Sequence, residues 1–226
     1  MTLHTDPEVL ALAEKHKFLR RALAQKIENA PNRVTGFVVV DIETTGLEPA
    51  FHDIIEIAAL RTGKDGKEEK FETFVAPSKP LPAHIQNMTG IHDEMLKGAP
   101  PPTSALERFR TFVQNDVIVA HNAEFDLGFL RSHIKKLLNG DLGNRTVCTV
   151  RLSRYLYPEL GNHKLGTVAQ ALEVVPKNQH RALGDTQTTM EIFESMLSQL
   201  SRRGCNTLEK VVALSEELGE REPAPF

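Results

Sequence analysis

The clearest pattern along the chain is a short apolar run that ends in two acids. Residues 37–40 are Phe-Val-Val-Val, and Asp41 and Glu43 follow them with Ile42 in between. A short apolar run rich in β-branched side chains is typical of a buried strand. Side chains alternate along a strand, so Asp41 and Glu43 point to one face and Ile42 to the other. The pattern therefore predicts a central strand that directs two carboxylates to the same place, although such a pair alone also fits a solvated strand end.

The pattern after this strand predicts more strands first and then strands alternating with helices. Two β-like segments, 53–61 and 70–75, flank the sequence Gly-Lys-Asp-Gly-Lys, which is typical of a hairpin. Alternation of strand and helix indicates an α/β domain. Further strands are predicted over 117–120 and 145–148, and helices over 103–114, 124–138, 150–157, 165–172, 182–200 and 207–218.

An amphipathic helix is predicted over residues 7–29, ahead of the first strand. Asp6 is a suitable N-cap, Pro7 takes the first helical position and Pro31 ends the helix. Its apolar stripe either packs on the flank of the domain or docks a partner protein. The pattern leaves both alternatives open.

Composition limits the class of protein. A chain of 226 residues accommodates one α/β domain with an appendage. The net charge of −3 argues against a protein that coats nucleic acid, but it permits a nucleic-acid enzyme whose acids hold cations. No apolar run is long enough to cross a bilayer and no secretory signal is visible, so we expect a cytoplasmic protein without membrane contact. Cys148 and Cys205 lack metal-site spacing and are expected to be free thiols.

Two other segments carry groups that can join the first two acids. Asp126 falls in the first turn of the helix after the fourth strand, Asp185 falls near the start of the long helix, and His180 precedes that helix. Clustered carboxylates repel one another unless cations neutralise them. Oxygen ligands favour Mg²⁺ or Mn²⁺, and two such ions roughly 4 Å apart can hydrolyse a phosphodiester. Histidine is suited to take the proton from the attacking water.

The segments FVVVDIETTGL, VIVAHNAEFDLGFL and HRALGDTQTTMEIF resemble the three motifs of the DEDDh family of 3'-5' exonucleases, which includes bacterial proofreading subunits. Arg181 stands where the sister DEDDy pattern has a tyrosine. The resemblance implies a ribonuclease-H-like α/β fold, with a five-stranded mixed sheet in the order 3-2-1-4-5 flanked by helices. It implies His180 as general base and two Mg²⁺ or Mn²⁺ ions held by four acids: Asp41, Glu43, Asp126 and Asp185.

The resemblance also implies contacts to the terminal nucleotides. Leu47 and Phe125 fit ordinary core positions equally well, and Met88 could instead pack beneath its own loop. The implied contacts are Thr44, Thr45, Leu47, Met88, Thr89, His121, Asn122 and Phe125.

The function that the resemblance implies is removal of nucleoside monophosphates from single-stranded or frayed 3' ends of DNA, in proofreading or repair. The alternatives are trimming of RNA and a binding module held to a DNA polymerase or another replication protein through the N-terminal helix. We expect an N-terminal helical extension (1–34), an exonuclease domain (35–202) and a C-terminal helix and tail (203–226).

Overall fold

A five-stranded sheet forms the centre of the protein. The computed structural model describes residues 36–62, 67–178 and 180–221, so the helix predicted over 7–29 lies outside the described residues. The strands are β1 (Phe37–Thr44), β2 (Ile54–Thr62), β3 (Glu68–Phe74), β4 (Val117–Ala120) and β5 (Thr146–Cys148). Their order in the sheet is β3-β2-β1-β4-β5, which confirms the predicted order.

Strand direction divides the sheet in two. β1 pairs antiparallel with β2, and β2 pairs antiparallel with β3. β4 is parallel to β1, and β5 is parallel to β4. The ends of β1, β3, β4 and β5 and the beginning of β2 consequently meet at one edge of the sheet, which we call the upper edge.

Seven helices are present in the described part of the chain. The short helix α1 follows β3, and most of the others cover the two faces of the sheet. Their bounds are α1 (Ala83–Thr89), α2 (Pro102–Val113), α3 (Ala123–Leu138), α4 (Thr149–Leu156), α5 (Leu165–Ala171), α6 (Ala182–Arg202) and α7 (Leu208–Glu220).

Alternation along β1 sends its side chains into two separate apolar cores. Val38, Val40 and Ile42 pack with residues of α2 and α3, whereas Val39 packs with residues of α4, α6 and α7. Val38, Val39 and Val40 are all buried, and this part of β1 is apolar without a break because helices cover both faces of the sheet. By the same alternation, Asp41 lies on the face that α6 covers.

The C-terminal helix belongs to the second of these cores. Leu208, Val211 and Val212 of α7 are buried in it, and the backbone N–H of Cys148 donates to Ser215 Oγ at 3.0 Å. The domain boundaries expected from the sequence stay predictions. Cys148 and Cys205 are both free, as predicted. Nowhere in the described ranges is a helix both long and apolar enough to cross a membrane.

Candidate active site

Three carboxylates meet where β1 ends beneath the start of α6. Asp41 and Glu43 come from β1, and Asp185 comes from the first turn of α6. One carboxylate oxygen of each lies within 4.8 Å of the others. The structure thus brings together three of the four acids named from the sequence, although 142 positions separate Glu43 from Asp185.

Asp126 reaches the same place from the other side of β1. It lies in the first turn of α3 and is 3% exposed, and its Oδ1 accepts a hydrogen bond of 3.2 Å from the backbone N–H of Ile42. Ile42 is the residue between Asp41 and Glu43, so this bond places the fourth acid beside the other three. Asn122 precedes α3 with a left-handed backbone (φ 65°), a conformation that asparagine tolerates better than most residues.

The packing of these acids raises their pKa values. Burial is the main cause of a pKa well above the usual range for Asp41, and the negative charges of Asp126 and Glu43 add to it. Burial and the charges of Asp185 and Glu56 raise the pKa of Glu43 to about 8. Burial also raises the pKa values of Asp126 and Asp185. A site of this kind takes up protons unless a cation supplies the missing positive charge.

His180 lies on the turn that leads into α6. Its backbone is left-handed (φ 61°), and its N–H donates to Asp185 Oδ2 at 3.1 Å. The side chain is exposed, and the backbone hydrogen bond from His180 opposes the larger rise that burial causes in the pKa of Asp185. The turn therefore ties the backbone of one site residue to the carboxylate of another while the imidazole stays open to solvent.

A buried ion pair fixes the start of α6 to β2, and sequence reasoning missed it. Glu56 is 1% exposed and accepts hydrogen bonds from Arg181 Nη2 at 2.7 Å, from Arg181 Nε at 3.2 Å and from the backbone N–H of Ala182 at 3.0 Å. The guanidinium also lies over the ring of Phe74, 5.4 Å from its centroid. The available signal was an acid inside an apolar strand, because a buried carboxylate needs a partner.

A second set of contacts fixes the loop before His180 to α6. The backbone N–H of Lys177 donates to Thr188 Oγ1 at 3.1 Å. A Cβ on Gly184 would lie 2.4 Å from the carbonyl oxygen of Lys177 and 2.5 Å from that of Asn178. Only a glycine allows the loop to approach the first turn of the helix so closely.

The residues that were predicted to touch substrate near β1 differ in exposure. Leu47 is 80% exposed and Met88 is 52% exposed, so both side chains are open to a ligand. Thr44 is buried and its hydroxyl donates to the carbonyl of Gly46 at 2.7 Å, whereas Thr45 Oγ1 accepts from the N–H of Asp53 at 2.9 Å. Their roles in binding substrate stay predictions.

Other predicted contacts already have partners within the protein. The ring of His121 lies 2.9 Å from Thr149 Oγ1 and 3.0 Å from the carbonyl oxygen of His163. A carbonyl only accepts, so Nε2 of His121 carries the proton and Nδ1 accepts from the threonine. Burial lowers the pKa of His121 to about 4, which keeps the ring neutral.

Thr89 and Phe125 also have contacts within the protein. Thr89 Oγ1 donates to the carbonyl of Ile85 at 2.9 Å and accepts from the N–H of Ile91 at 3.1 Å. Phe125 packs on the core, with its ring centroid 5.1 Å from that of Phe129. Substrate contacts by these two residues, like those by His121 and Asn122, stay predictions.

Comparison with known sequences finds an exonuclease family and DNA polymerases. The profile of the RNase_T family, described as exonuclease, matches residues 38–193. The DNA polymerase III PolC-type of Bacillus subtilis (strain 168) is 38% identical over 185 residues, which cover 81% of this chain and 13% of that polymerase. Its counterpart from Caldanaerobacter subterraneus subsp. tengcongensis is 42% identical over 186 residues, or 82% of this chain and 13% of the relative. This chain therefore spans only a small part of the length of the polymerases it matches.

Solved structures with the same fold are also exonucleases. Exonuclease X in complex with 5' overhanging duplex DNA has a TM-score of 0.61 at 23% identity, over 79% of this chain and 99% of that one. E. coli Exonuclease I in complex with a dT13 oligonucleotide has a TM-score of 0.64 at 19% identity, over 78% of this chain and 45% of that one. These likenesses confirm the ribonuclease-H-like fold, and the profile covers more than half of the sequence. By fold and by sequence, the chain belongs to the exonuclease family.

Proposed function

We propose that the protein removes nucleoside monophosphates one at a time from the 3' end of single-stranded or frayed DNA. The observation that carries this proposal is the meeting of Asp41, Glu43 and Asp185 at the upper edge of the sheet, with Asp126 bonded to the backbone between the first two. DNA is favoured over RNA because the relatives are DNA polymerases and the solved neighbours include complexes with DNA.

The four acids fit a site for divalent cations. All of the offered ligand atoms are carboxylate oxygens, which favour Mg²⁺ or Mn²⁺ over softer metals. Burial, with the charges of neighbouring acids added to it, raises the pKa values of Asp41, Glu43 and Asp126, so a bound cation would replace the protons that these carboxyls otherwise keep. Two ions bound there would supply charge that polarises the scissile phosphate and the attacking water.

The chain's own groups do the remaining work of the reaction. The imidazole of His180 accepts the proton of the attacking water, because it is exposed on the turn tied to Asp185. The hydrogen bonds from Arg181 and Ala182 to Glu56 hold the start of α6 in register with β1, so the acids of the two elements stay in place. Leu47 lies exposed just beyond β1, where it can press against the terminal bases.

A role in proofreading or repair follows from the relatives. PolC-type polymerases contain the matched segment within much longer chains, so a DNA polymerase or another replication protein is the partner that we propose for this domain. Residues 1–34 are the proposed contact. Deleting them should abolish co-elution with the polymerase on size-exclusion chromatography without changing hydrolysis of free oligonucleotides, and co-elution that persists would refute this contact.

The test of the proposed function is hydrolysis of oligonucleotides labelled at the 5' end. Single-stranded DNA, a duplex with a 3' mismatch, a matched duplex and RNA of the same sequence are incubated with Mg²⁺, Mn²⁺ or EDTA. We expect stepwise shortening from the 3' end, fastest on single-stranded and mismatched DNA and absent in EDTA. Faster digestion of the RNA would overturn the assignment of DNA.

Variants of the proposed ligands separate catalysis from folding. Asp41→Ala and Asp185→Asn should abolish hydrolysis and leave a folded protein, whereas His180→Ala should slow hydrolysis by roughly 100-fold or more. Asp141→Asn is the matched control, because Asp141 is an exposed acid on the loop before β5, at the opposite edge of the sheet. Full activity of Asp185→Asn would refute the site.

A further inference from the structure

The most exposed large apolar side chains of the described residues lie on segments at the upper edge of the sheet. Four of them are more than half exposed: Leu47 (80%), Phe51 (79%), Val175 (69%) and Met88 (52%). Leu47 and Phe51 lie between β1 and β2, Met88 lies on α1 after β3, and Val175 lies on the loop before α6. Leu47 and Phe51 thus leave apolar surface open to water on the turn that follows Asp41 and Glu43, where a strand of nucleic acid would enter.

Phe51 stands out because its loop holds it in place. Thr45 and Asp53 close the loop with two hydrogen bonds of 2.9 Å, one from the backbone N–H of Thr45 to the carbonyl of Asp53 and one from the N–H of Asp53 to Thr45 Oγ1. The N–H groups of Phe51 and His52 both donate to the carbonyl of Glu48 at 3.0 Å. The ring of Phe51 is thus exposed on an ordered turn rather than on a loose one.

The neighbouring side chain fills the inside of the same turn. The imidazole of His52 lies so close to Gly46 that a Cβ there would be 2.3 Å from it, and its Nδ1 accepts from the N–H of Glu48 at 3.2 Å. His52 thus occupies the side of the turn that faces Gly46, whereas the ring of Phe51 is exposed.

The turn also lies next to the carboxylates. Pro49 reaches α3, where its Cγ is 3.8 Å from the position of a Cβ on Gly128, two residues beyond Asp126. The other end of the turn is β1, which carries Asp41 and Glu43. The turn therefore spans the gap between two elements that supply the acids.

We propose that Phe51 stacks on a base of the substrate strand upstream of the 3'-terminal nucleotide. The inference rests on the proposed function and adds to it a second binding position, separate from Leu47. A phenyl ring has no charge for a phosphate, but it offers a flat apolar face that any base can cover, which suits an enzyme that must accept every sequence. Because the turn is ordered before binding, little conformational entropy is lost when the base stacks.

The first test measures binding in EDTA, so that hydrolysis does not contribute. The probe is a single-stranded oligodeoxynucleotide labelled with fluorescein at its 5' end, followed by fluorescence anisotropy. We expect Phe51→Ala to raise Kd by about 5-fold or more, the usual range for loss of one base–aromatic stack, and Phe51→Tyr to restore binding. Equal Kd values for Phe51→Ala and the unmodified protein would overturn the inference.

Tyr155→Ala is the control for loss of an exposed aromatic ring. Tyr155 is 42% exposed and lies under the guanidinium of Arg203. Arg203 follows the last residue of α6, about 27 Å from Asp185 at 1.5 Å of rise per residue. This variant should bind the oligonucleotide like the unmodified protein, and a Kd raised as much as in Phe51→Ala would count against a specific stack.

The second test locates the base. A single abasic site is moved one nucleotide at a time from the 3' end, and Kd is measured for each oligonucleotide. The unmodified protein should lose affinity at one upstream position where Phe51→Ala shows no further loss, as expected when both changes remove the same contact. Identical abasic profiles would refute the stack, whereas failure of the unmodified protein to shorten DNA in Mg²⁺ or Mn²⁺ would refute the proposed function itself.

Discussion

Raising the pH of the metal-free protein from 6.5 to 8 is expected to destabilise it. The carboxyl of Glu43 has its pKa raised from 4.5 to about 8 in the folded protein, so it keeps a proton that the unfolded chain has already released. When the folded state binds more protons than the unfolded state, the free energy of unfolding falls as pH rises. Burial of Asp41 and Asp126 shifts their pKa values in the same direction.

The size of the effect follows from the pKa of Glu43. Each unit of pKa shift corresponds to about 1.4 kcal/mol, so the titration of this carboxyl alone lowers the free energy of unfolding by roughly 1.5 kcal/mol across this window. His121 acts in the opposite direction, because burial lowers its pKa from 6.5 to about 4 and its contribution grows as pH rises. Most of the contribution of His121 to the free energy of unfolding is already present at pH 6.5. A change in this free energy above pH 6.5 therefore comes mainly from the acids.

The assay is urea unfolding at 25 °C and several pH values, in EDTA and then in excess Mn²⁺. In EDTA the free energy of unfolding should fall between pH 6.5 and 8, and in Mn²⁺ the fall should shrink or reverse because the cation replaces the protons. Glu43→Gln is the control and should flatten the profile in EDTA. A protein that became more stable over this window in EDTA, or a Glu43→Gln variant with an unchanged slope, would refute the reasoning.

Substitutions at three further positions test the elements that position the site. Glu56→Ala should lower the free energy of unfolding by about 1–3 kcal/mol in urea titrations, because Arg181 and the backbone N–H of Ala182 both lose their hydrogen-bond acceptor. Gly184→Ala should reduce the rate of DNA hydrolysis by about 10-fold or more, since its methyl group must push back the loop that leads to His180; helix propensity alone predicts a slightly more stable helix and no loss of activity. Asn122→Val should cost about 1–2 kcal/mol at its left-handed position, and Asn122→Gly should cost less, both measured by thermal unfolding.

The sheet could be predicted because burial leaves a clear trace in the sequence. β4 is apolar throughout and β1 is apolar over its first four residues, and both strands were found where the pattern placed them. β3 was predicted over 70–75 but runs from Glu68 to Phe74; its first two residues were missed because they are exposed and polar and carry no apolar signal. The strand order came from the family resemblance, since apolar patterns do not state which strands are neighbours.

The candidate site was predictable in its acids but not in its supports. Alternation of side chains along β1 places Asp41 and Glu43 on one face, and the other two motifs contain Asp126 and Asp185. The contact between Glu56 and Arg181 joins residues 125 positions apart, and no local pattern predicts which residue pairs with Glu56. The sequence also does not show that Thr149 and His163 lie beside the two ring nitrogens of His121, whose contact with substrate stays a prediction.

The wide separation of the acids along the chain matters when the protein is made or cut. Asp41 is translated well before Asp185, which follows only after all five strands have been synthesised. A ribosome-bound fragment, or a proteolytic piece that stops short of α6, holds at most part of the cluster and is expected to leave nearby nucleic acid intact. The proposed nuclease activity is therefore expected only when nearly the whole domain has been completed.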